Sequence, residues 1–425
     1  MKQTIKLAIS ASLLFSSTSI FATNGSVLIG IGAKSRSMGG TGIGISHGAD
    51  SALINPSLIG TIENKHEISF GGTLFMPDVS NSMGQSGFMS ATKESAADKS
   101  VIPSVSLATK VNNNFCWGVG MWGTAGMGVD YRNSANNFNM VTNLQLMQFG
   151  VPLAYSINSF SIGITPILQY GSLDISYSGT LDTSTAFAGG QAPAVTADVG
   201  HDEGVSQDLA MGYNIGLSYF ISDLTIGLSY KSQIDMQYNG QLSGASSDFA
   251  NFGLFGGSIL SDTLSTPAEI GIGTSYKVKG HTIALDLKQI KWSDAKGYKD
   301  FMWENQTVIA LGYEYTTNLW ALRLGYNYGD SPISEQATNT SDATASAINM
   351  FNLLGFPAIV ESHFTIGGSY AFDKETSLDL AYTYAPEVTQ TYSIAQFAGF
   401  GPNNPTQIET KHSQTSLSIG LNYSF

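Results

Sequence analysis

The sequence predicts an all-β chain, an antiparallel β-barrel that crosses a membrane, and three observations carry that expectation. Only 12% of the 425 residues are charged, about half the share usual in soluble globular domains, so something other than a solvated surface covers most of the outside. The apolar residues recur at period two along many short stretches, against a face of small and polar residues. Tight and long connections alternate strictly between those stretches, as in barrels with short periplasmic turns and long external loops.

The first residues indicate export. Lys2 and Lys6 precede the apolar stretch Leu7 to Phe15, and a Ser/Thr-rich segment then runs to Ile20-Phe21-Ala22. These are the three regions of a secretory signal peptide. Residues 1–22 are therefore expected to be cleaved after Ala22, with Ser19 as an alternative. The stretch is too short for an anchor helix, and beyond it no apolar run approaches the ~20 residues of a spanning helix. The single cysteine, Cys116, forms no internal disulfide and is not at the cleavage site, which argues against a lipoprotein and against a disulfide-stapled domain. With Lys+Arg 19 against Asp+Glu 32, the chain lacks the basic face that nucleic acid requires.

The wall follows from phase. In the last ten residues Leu417, Ile419, Leu421, Tyr423 and Phe425 occupy one face and Ser416, Ser418, Gly420, Asn422 and Ser424 the other. Trp320, Leu322, Leu324, Tyr326 and Tyr328 repeat the pattern, as do Phe364 to Phe372, Leu378 to Tyr384 and Met211 to Tyr219. One face is too apolar for water and the other too polar for a sandwich core; lipid and a lumen accommodate both. Fourteen such segments can be counted: 65–76, 101–111, 115–131, 141–156, 160–178, 205–220, 224–238, 265–278, 281–293, 305–315, 319–329, 361–372, 376–386 and 410–425. Tight links such as Asn112-Asn113-Asn114, Lys279-Gly280 and Asp373-Lys374-Glu375 alternate with links that are mostly long, giving seven external loops on a barrel of residues 64–425. A β-sandwich or β-helix does not predict that alternation.

Residues 23–63 do not alternate. They carry Gly25, Gly30, Gly32, Gly39, Gly40, Gly42, Gly44 and Gly48 before Asn55-Pro56-Ser57. A segment without a lipid face sits in the bilayer only when protein surrounds it, so these residues are expected to fill the lumen. A nucleotide loop is the poorer reading: Gly42 to Gly48 misses the dinucleotide spacing, and no Walker lysine follows.

Thr23-Asn24-Gly25, the run Gly30-Ile31-Gly32-Ala33-Lys34-Ser35-Arg36-Ser37-Met38-Gly39-Gly40-Thr41-Gly42, Asp50-Ser51-Ala52 and Asn55-Pro56-Ser57 resemble the N-terminal hatch of the FadL family of outer-membrane transporters. The resemblance continues at Thr266-Pro267-Ala268-Glu269, Ile290 to Ser293, Trp320 to Tyr326, Ser331-Pro332 and His363 to Gly367, spanning the mature chain in order. Ser57 departs from the alanine usual after Asn-Pro. The resemblance implies a fourteen-stranded barrel plugged by a hatch, with Gly39, Gly40, Asn55 and Pro56 in the hatch motif. It implies passive uptake of long-chain fatty acids or, in some branches, aromatic compounds. Ligand would be caught between external loops, pass to a deeper site, and leave sideways at a kink of the third strand.

Each step has candidate residues. Gly123, Gly126 and Gly128 cluster in the third strand around Trp122, and glycine clusters permit bends; close packing against the hatch is the alternative. The fourth long loop holds Phe249, Phe252, Leu254 and Phe255, and the sixth holds Phe351 and Leu354. Apolar clusters of that kind mark binding surfaces when exposed, unless the loops pack on one another or lie in lipopolysaccharide. Because a lipid-facing charge costs ~2–4 kcal/mol, the cations whose phase points inward are the candidates for an anionic head group: Lys231, Lys277, Lys288 and Arg323. They could instead pair with Asp286, Glu314, Asp379 and the hatch.

Catalysis has little support. The six histidines are scattered without metal-ligand spacing, and there is no Gly-x-Ser-x-Gly elbow. The expectation is a non-enzymatic channel without cofactor or metal, monomeric in the Gram-negative outer membrane, with lipid and lipopolysaccharide around it. A surface adhesin and a nonspecific porin are the competing classes.

Overall fold

The computed structural model describes residues 23–184, 196–338 and 343–425. The expected signal peptide, residues 1–22, lies outside the described residues. Fourteen wall strands form the barrel. Strands β1 to β7 are His66–Gln85, Ser100–Lys110, Phe115–Asp130, Val141–Gly150, Phe160–Asp182, Ser206–Ile221 and Leu224–Lys231. Strands β8 to β14 are Glu269–Val278, His281–Ile290, Gln306–Thr316, Trp320–Gly329, Ser362–Ala371, Thr376–Ser393 and Gln407–Ser424. Each pairs antiparallel with the next. β14 then pairs back onto β1, from Gln407↔Gly84 to Ser424↔Glu67, and closes the barrel.

Alternation becomes two environments. Leu417, Ile419, Leu421 and Tyr423 point outward and are exposed, whereas Ser416, Ser418 and Asn422 are buried. The tight turns follow backbone chemistry: Lys279 (φ 49°) and Gly280 (φ 83°) form a two-residue hairpin closed by the pair Val278↔His281. The fourth wall segment is split, because Pro152 has no N–H to donate, and Leu153–Ile157 resumes the strand below it.

Several boundaries move. β1, β5, β13 and β14 run further toward the loops than alternation suggests, because their outer ends carry polar residues such as Asn81, Ser82 and Thr410 that pack inside the loop layer rather than against lipid. The seventh strand stops at Lys231 instead of reaching residue 238. Ile234–Gln237 leaves the wall and pairs with Thr263–Thr266 in a separate two-stranded sheet. Its apolar face, Ile234 and Met236, is buried over the lumen rather than set in lipid. The loops also hold two helices that period-two reasoning does not foresee, at Gln241–Asn251 and Thr344–Leu354.

The N-terminal segment is packed against the inner faces of the wall. Helix α1, Gly32–Ser37, lies on β12, β13 and β14. Beyond it the chain approaches the wall closely: Gly39 (φ 68°) sits so that a Cβ would meet the Tyr326 carbonyl oxygen at 2.5 Å. Only glycine satisfies both the left-handed backbone and that contact.

Candidate functional site

Antiparallel register builds a charged cluster. Lys231 ends β7 and faces Glu269, which opens β8, while Lys288 on β9 faces Gly271, two residues along. All three side chains take the inward phase. Lys231 Nζ lies 3.3 Å from Glu269 Oε1 and Lys288 Nζ 3.4 Å from Oε2, so two cations share one carboxylate.

The cluster borders a cavity between the wall and the N-terminal segment. Its interior measures about 60 Å³, room for roughly four waters. The N-terminal segment supplies an apolar side through Val27, Leu28, Ile29, Ile43 and Leu53, and Ile167 and Val308 add to it from the wall. Ile234 covers it from the loop side. Asp286 also borders it, with Oδ2 accepting from the amides of Gly42 at 2.7 Å and Ile43 at 2.8 Å. That carboxylate therefore ties the N-terminal segment to β9 beside the lysines.

Asn55 and Ser57 make the second tie. Asn55 Nδ2 donates to the Ile43 carbonyl at 2.7 Å and the Leu217 carbonyl at 3.2 Å, and its Oδ1 accepts from Ser57 Oγ at 2.6 Å. Ser57 Oγ also lies 2.6 Å from Ser218 Oγ on β6. Pro56 packs over the Gly163 and Gly216 positions, which have no side chain to oppose it.

The third strand departs from the wall. β2 and β3 pair from Lys110↔Cys116 to Ser104↔Trp122 and no further, at the point where Pro103 has no N–H to offer. Beyond it, Trp122 to Val129 are all buried, a bulge falls between Gly123 and Ala125 opposite β4, and Ala125 pairs with Val27 of the N-terminal segment. Gly126 donates to the Ser26 carbonyl at 3.1 Å. The result is a seam between β2 and β3, filled by Ile102, whose Cγ2 would lie 2.7 Å from a Cβ at Gly123. The seam ends where Ala96 donates to the Asp130 carbonyl at 2.8 Å.

The closed fourteen-stranded barrel agrees with a match over residues 29–425 to the family described as "Outer membrane protein transport protein (OMPP1/FadL/TodX)". The chain belongs to this family. It is thus an outer-membrane transport protein for hydrophobic compounds and not an enzyme. It is 23% identical to the "Long-chain fatty acid transport protein" of Escherichia coli (strain K12), covering 90% of each chain. It is 24% identical to "Outer membrane protein P1" of Haemophilus influenzae, covering 79% and 78%. A crystal structure of a Pseudomonas aeruginosa FadL homologue superposes with a TM-score of 0.72 at 16% identity, over 94% of this chain and 100% of that one. The Pseudomonas putida toluene transporter TodX gives 0.65 at 16% identity, over 95% and 100%.

Within this FadL/TodX-type barrel the remaining expected residues scatter. Arg323 is withdrawn from the cavity: Nε donates to Glu314 Oε2 at 2.6 Å, and Nη1 lies 3.5 Å from Asp379, which also faces Lys34 at 3.8 Å. Lys277 is exposed, two residues from the Lys279-Gly280 turn. The loop residues come together but are not open: Phe249, Leu254, Phe351 and Leu354 are buried, with Phe252 and Phe255 half-buried. Phe249 meets Phe351 edge to face at 5.3 Å, and both contact Tyr177. A cavity of about 10 Å³ remains among Phe255, Phe301, Phe351 and Phe356, space for about one water. The fourth and sixth loops thus bury their aromatic residues against each other. Glu269, the carboxylate both lysines share, escaped the sequence reading although its phase opposite Ile270 marks it as inward.

Proposed function

We propose that this protein takes up long-chain fatty acids passively, with residues 23–63 acting as a hatch and the Lys231–Glu269–Lys288 cluster as the head-group site. One observation carries the reading: two lysines sharing one carboxylate stand at the edge of an apolar cavity inside the barrel. A carboxylate head group replaces part of the hold of Glu269, and the acyl chain lies along Val27, Ile29 and Ile43. The cavity is narrow, so entry requires the hatch strand Val27–Leu28 or the Ile234–Gln237 cover to move aside.

The loop aromatics Phe249, Phe252, Leu254, Phe255, Phe351 and Leu354 form the capture surface once the two helices part. Release follows the seam beside Gly123, Gly126 and Gly128, where Ile102 is the moving side chain. The protein acts as a monomer held by lipid along its apolar band. A monoaromatic hydrocarbon is the second reading, favoured by the small cavity and by Glu269 and Asp286, which balance the lysines.

The test is uptake of labelled oleate and labelled toluene by a deletion strain and its complement. Restoration of oleate uptake alone supports the reading, and restoration of toluene uptake alone replaces it with the second. If neither changes while cell adhesion does, the protein is an adhesin.

A further inference from the structure

Helix α1 carries two cations of opposite fate. Lys34 and Arg36 are two residues apart, about 200° around the helix, and so point to opposite sides of it. Lys34 reaches Asp379 on the side of the tight turns, joining Arg323 and Glu314. Arg36 is only 1% exposed, and neither Nη1 nor Nη2 has a hydrogen-bond partner. Among the described residues, ion pairs within 4 Å take Lys34, Lys231, Lys288 and Arg323 but not Arg36. A buried charge without a partner is costly by several kcal/mol, and an anionic group brought from outside the chain would offset that cost.

The wall strands on which α1 packs also carry unpartnered hydroxyls. α1 docks through Thr365 on β12, which donates to the Ser37 carbonyl at 3.1 Å. Thr365 faces Thr383, and Thr383 faces Ser416 on β14. Both of those hydroxyls are buried without a partner. One row further from the tight turns, His363 is within electrostatic reach of the guanidinium. Its register partner Asn327 borders the lumen cavity.

We infer that Arg36, with the Thr383 and Ser416 hydroxyls, forms a binding site for one carboxylate group, separate from the lysine cluster. The guanidinium supplies a fork that matches a carboxylate, and two hydroxyls can donate to the same oxygens. Two sources share this chemistry, a free small carboxylate and the head group of a fatty acid. That a fatty acid uses the site rests on the uptake reading above; the site itself rests on the unpaired guanidinium.

Titration calorimetry on the detergent-solubilised full-length protein separates these cases, using laurate, dodecanol and acetate against the wild type, Arg36→Met and Lys231→Met. The expected result is about a tenfold or greater loss of laurate affinity in Arg36→Met, the scale of one charge-assisted pair, with dodecanol unaffected. Thr383→Val and Ser416→Ala, which keep the helix and its charge, should each weaken laurate by roughly two- to fivefold. If acetate binding depends on Arg36 while the wild type binds no laurate, the site stands for free carboxylates and the fatty-acid reading fails. Equal losses of laurate and dodecanol, or carboxylate binding indifferent to Arg36, would overturn the site.

Discussion

Lys231 and Glu269 face each other in register across β7 and β8 at 3.3 Å, and Lys288 reaches the same carboxylate from β9 at 3.4 Å. The arrangement makes Glu269 the carboxylate that both inward cations contact directly. Glu269→Gln should therefore leave two ammonium groups facing one another and destabilise the barrel by about 3 kcal/mol, as when one partner of a buried pair is removed. Laurate should raise the melting temperature of Glu269→Gln more than that of the wild type, because its head group replaces the lost carboxylate. Melting curves with and without laurate check this, and a smaller rise in the variant would count against the lysine site.

Ser57 supplies two contacts that alanine cannot, to Asn55 and to Ser218. Ser57→Ala is expected to cost about 1 kcal/mol, whereas Asn55→Ala removes donors to two carbonyls and loosens the inner segment. Limited proteolysis should cut the N-terminal segment faster in Asn55→Ala than in Ser57→Ala.

Gly39→Ala strains a left-handed backbone and drives a Cβ into the Tyr326 carbonyl. Such strain costs about 1–3 kcal/mol. The variant should leak small sugars in planar bilayers while the wild type stays closed.

The seam between β2 and β3 can be locked. With Cys116 replaced by serine, Ile102→Cys and Gly123→Cys place sulfurs across a contact that is 2.7 Å from Cγ2 to the built Cβ. Oxidation should stop uptake and reductant should restore it. Uptake that is indifferent to the cross-link excludes release through this seam.

Edman sequencing of the purified protein should begin at Thr23. The Thr23 nitrogen, the first of the described residues, donates to Gln414 Oε1 at 3.2 Å.

The wall was legible because lipid imposes a rule on every second residue, which is why Trp320, Leu322 and Leu324 identify a strand without any knowledge of its neighbours. The same rule misplaces Ile234 and Met236, since an apolar stripe buried over a lumen looks like one buried in lipid. Helices in the loops escaped because external segments obey no such rule. Phase also pointed Lys231, Lys288 and Arg323 inward, yet it could not tell that the first two would share Glu269 beside a cavity while Arg323 would be used by Glu314 and Asp379. That difference depends on which strands become neighbours and at what stagger.

By itself, then, the sequence determined that the chain is a transmembrane barrel, which residues face lipid, and which family it belongs to, because period, charge scarcity and short motifs are local properties. Only the tertiary structure decided how those parts meet. Register across β7, β8 and β9 assembled the lysine cluster, the end of β2–β3 pairing at Ser104↔Trp122 left the seam, and the docking of α1 left the Arg36 Nη1 and Nη2 without hydrogen-bond partners. Each depends on distances between residues remote in the chain, which closure of the barrel sets.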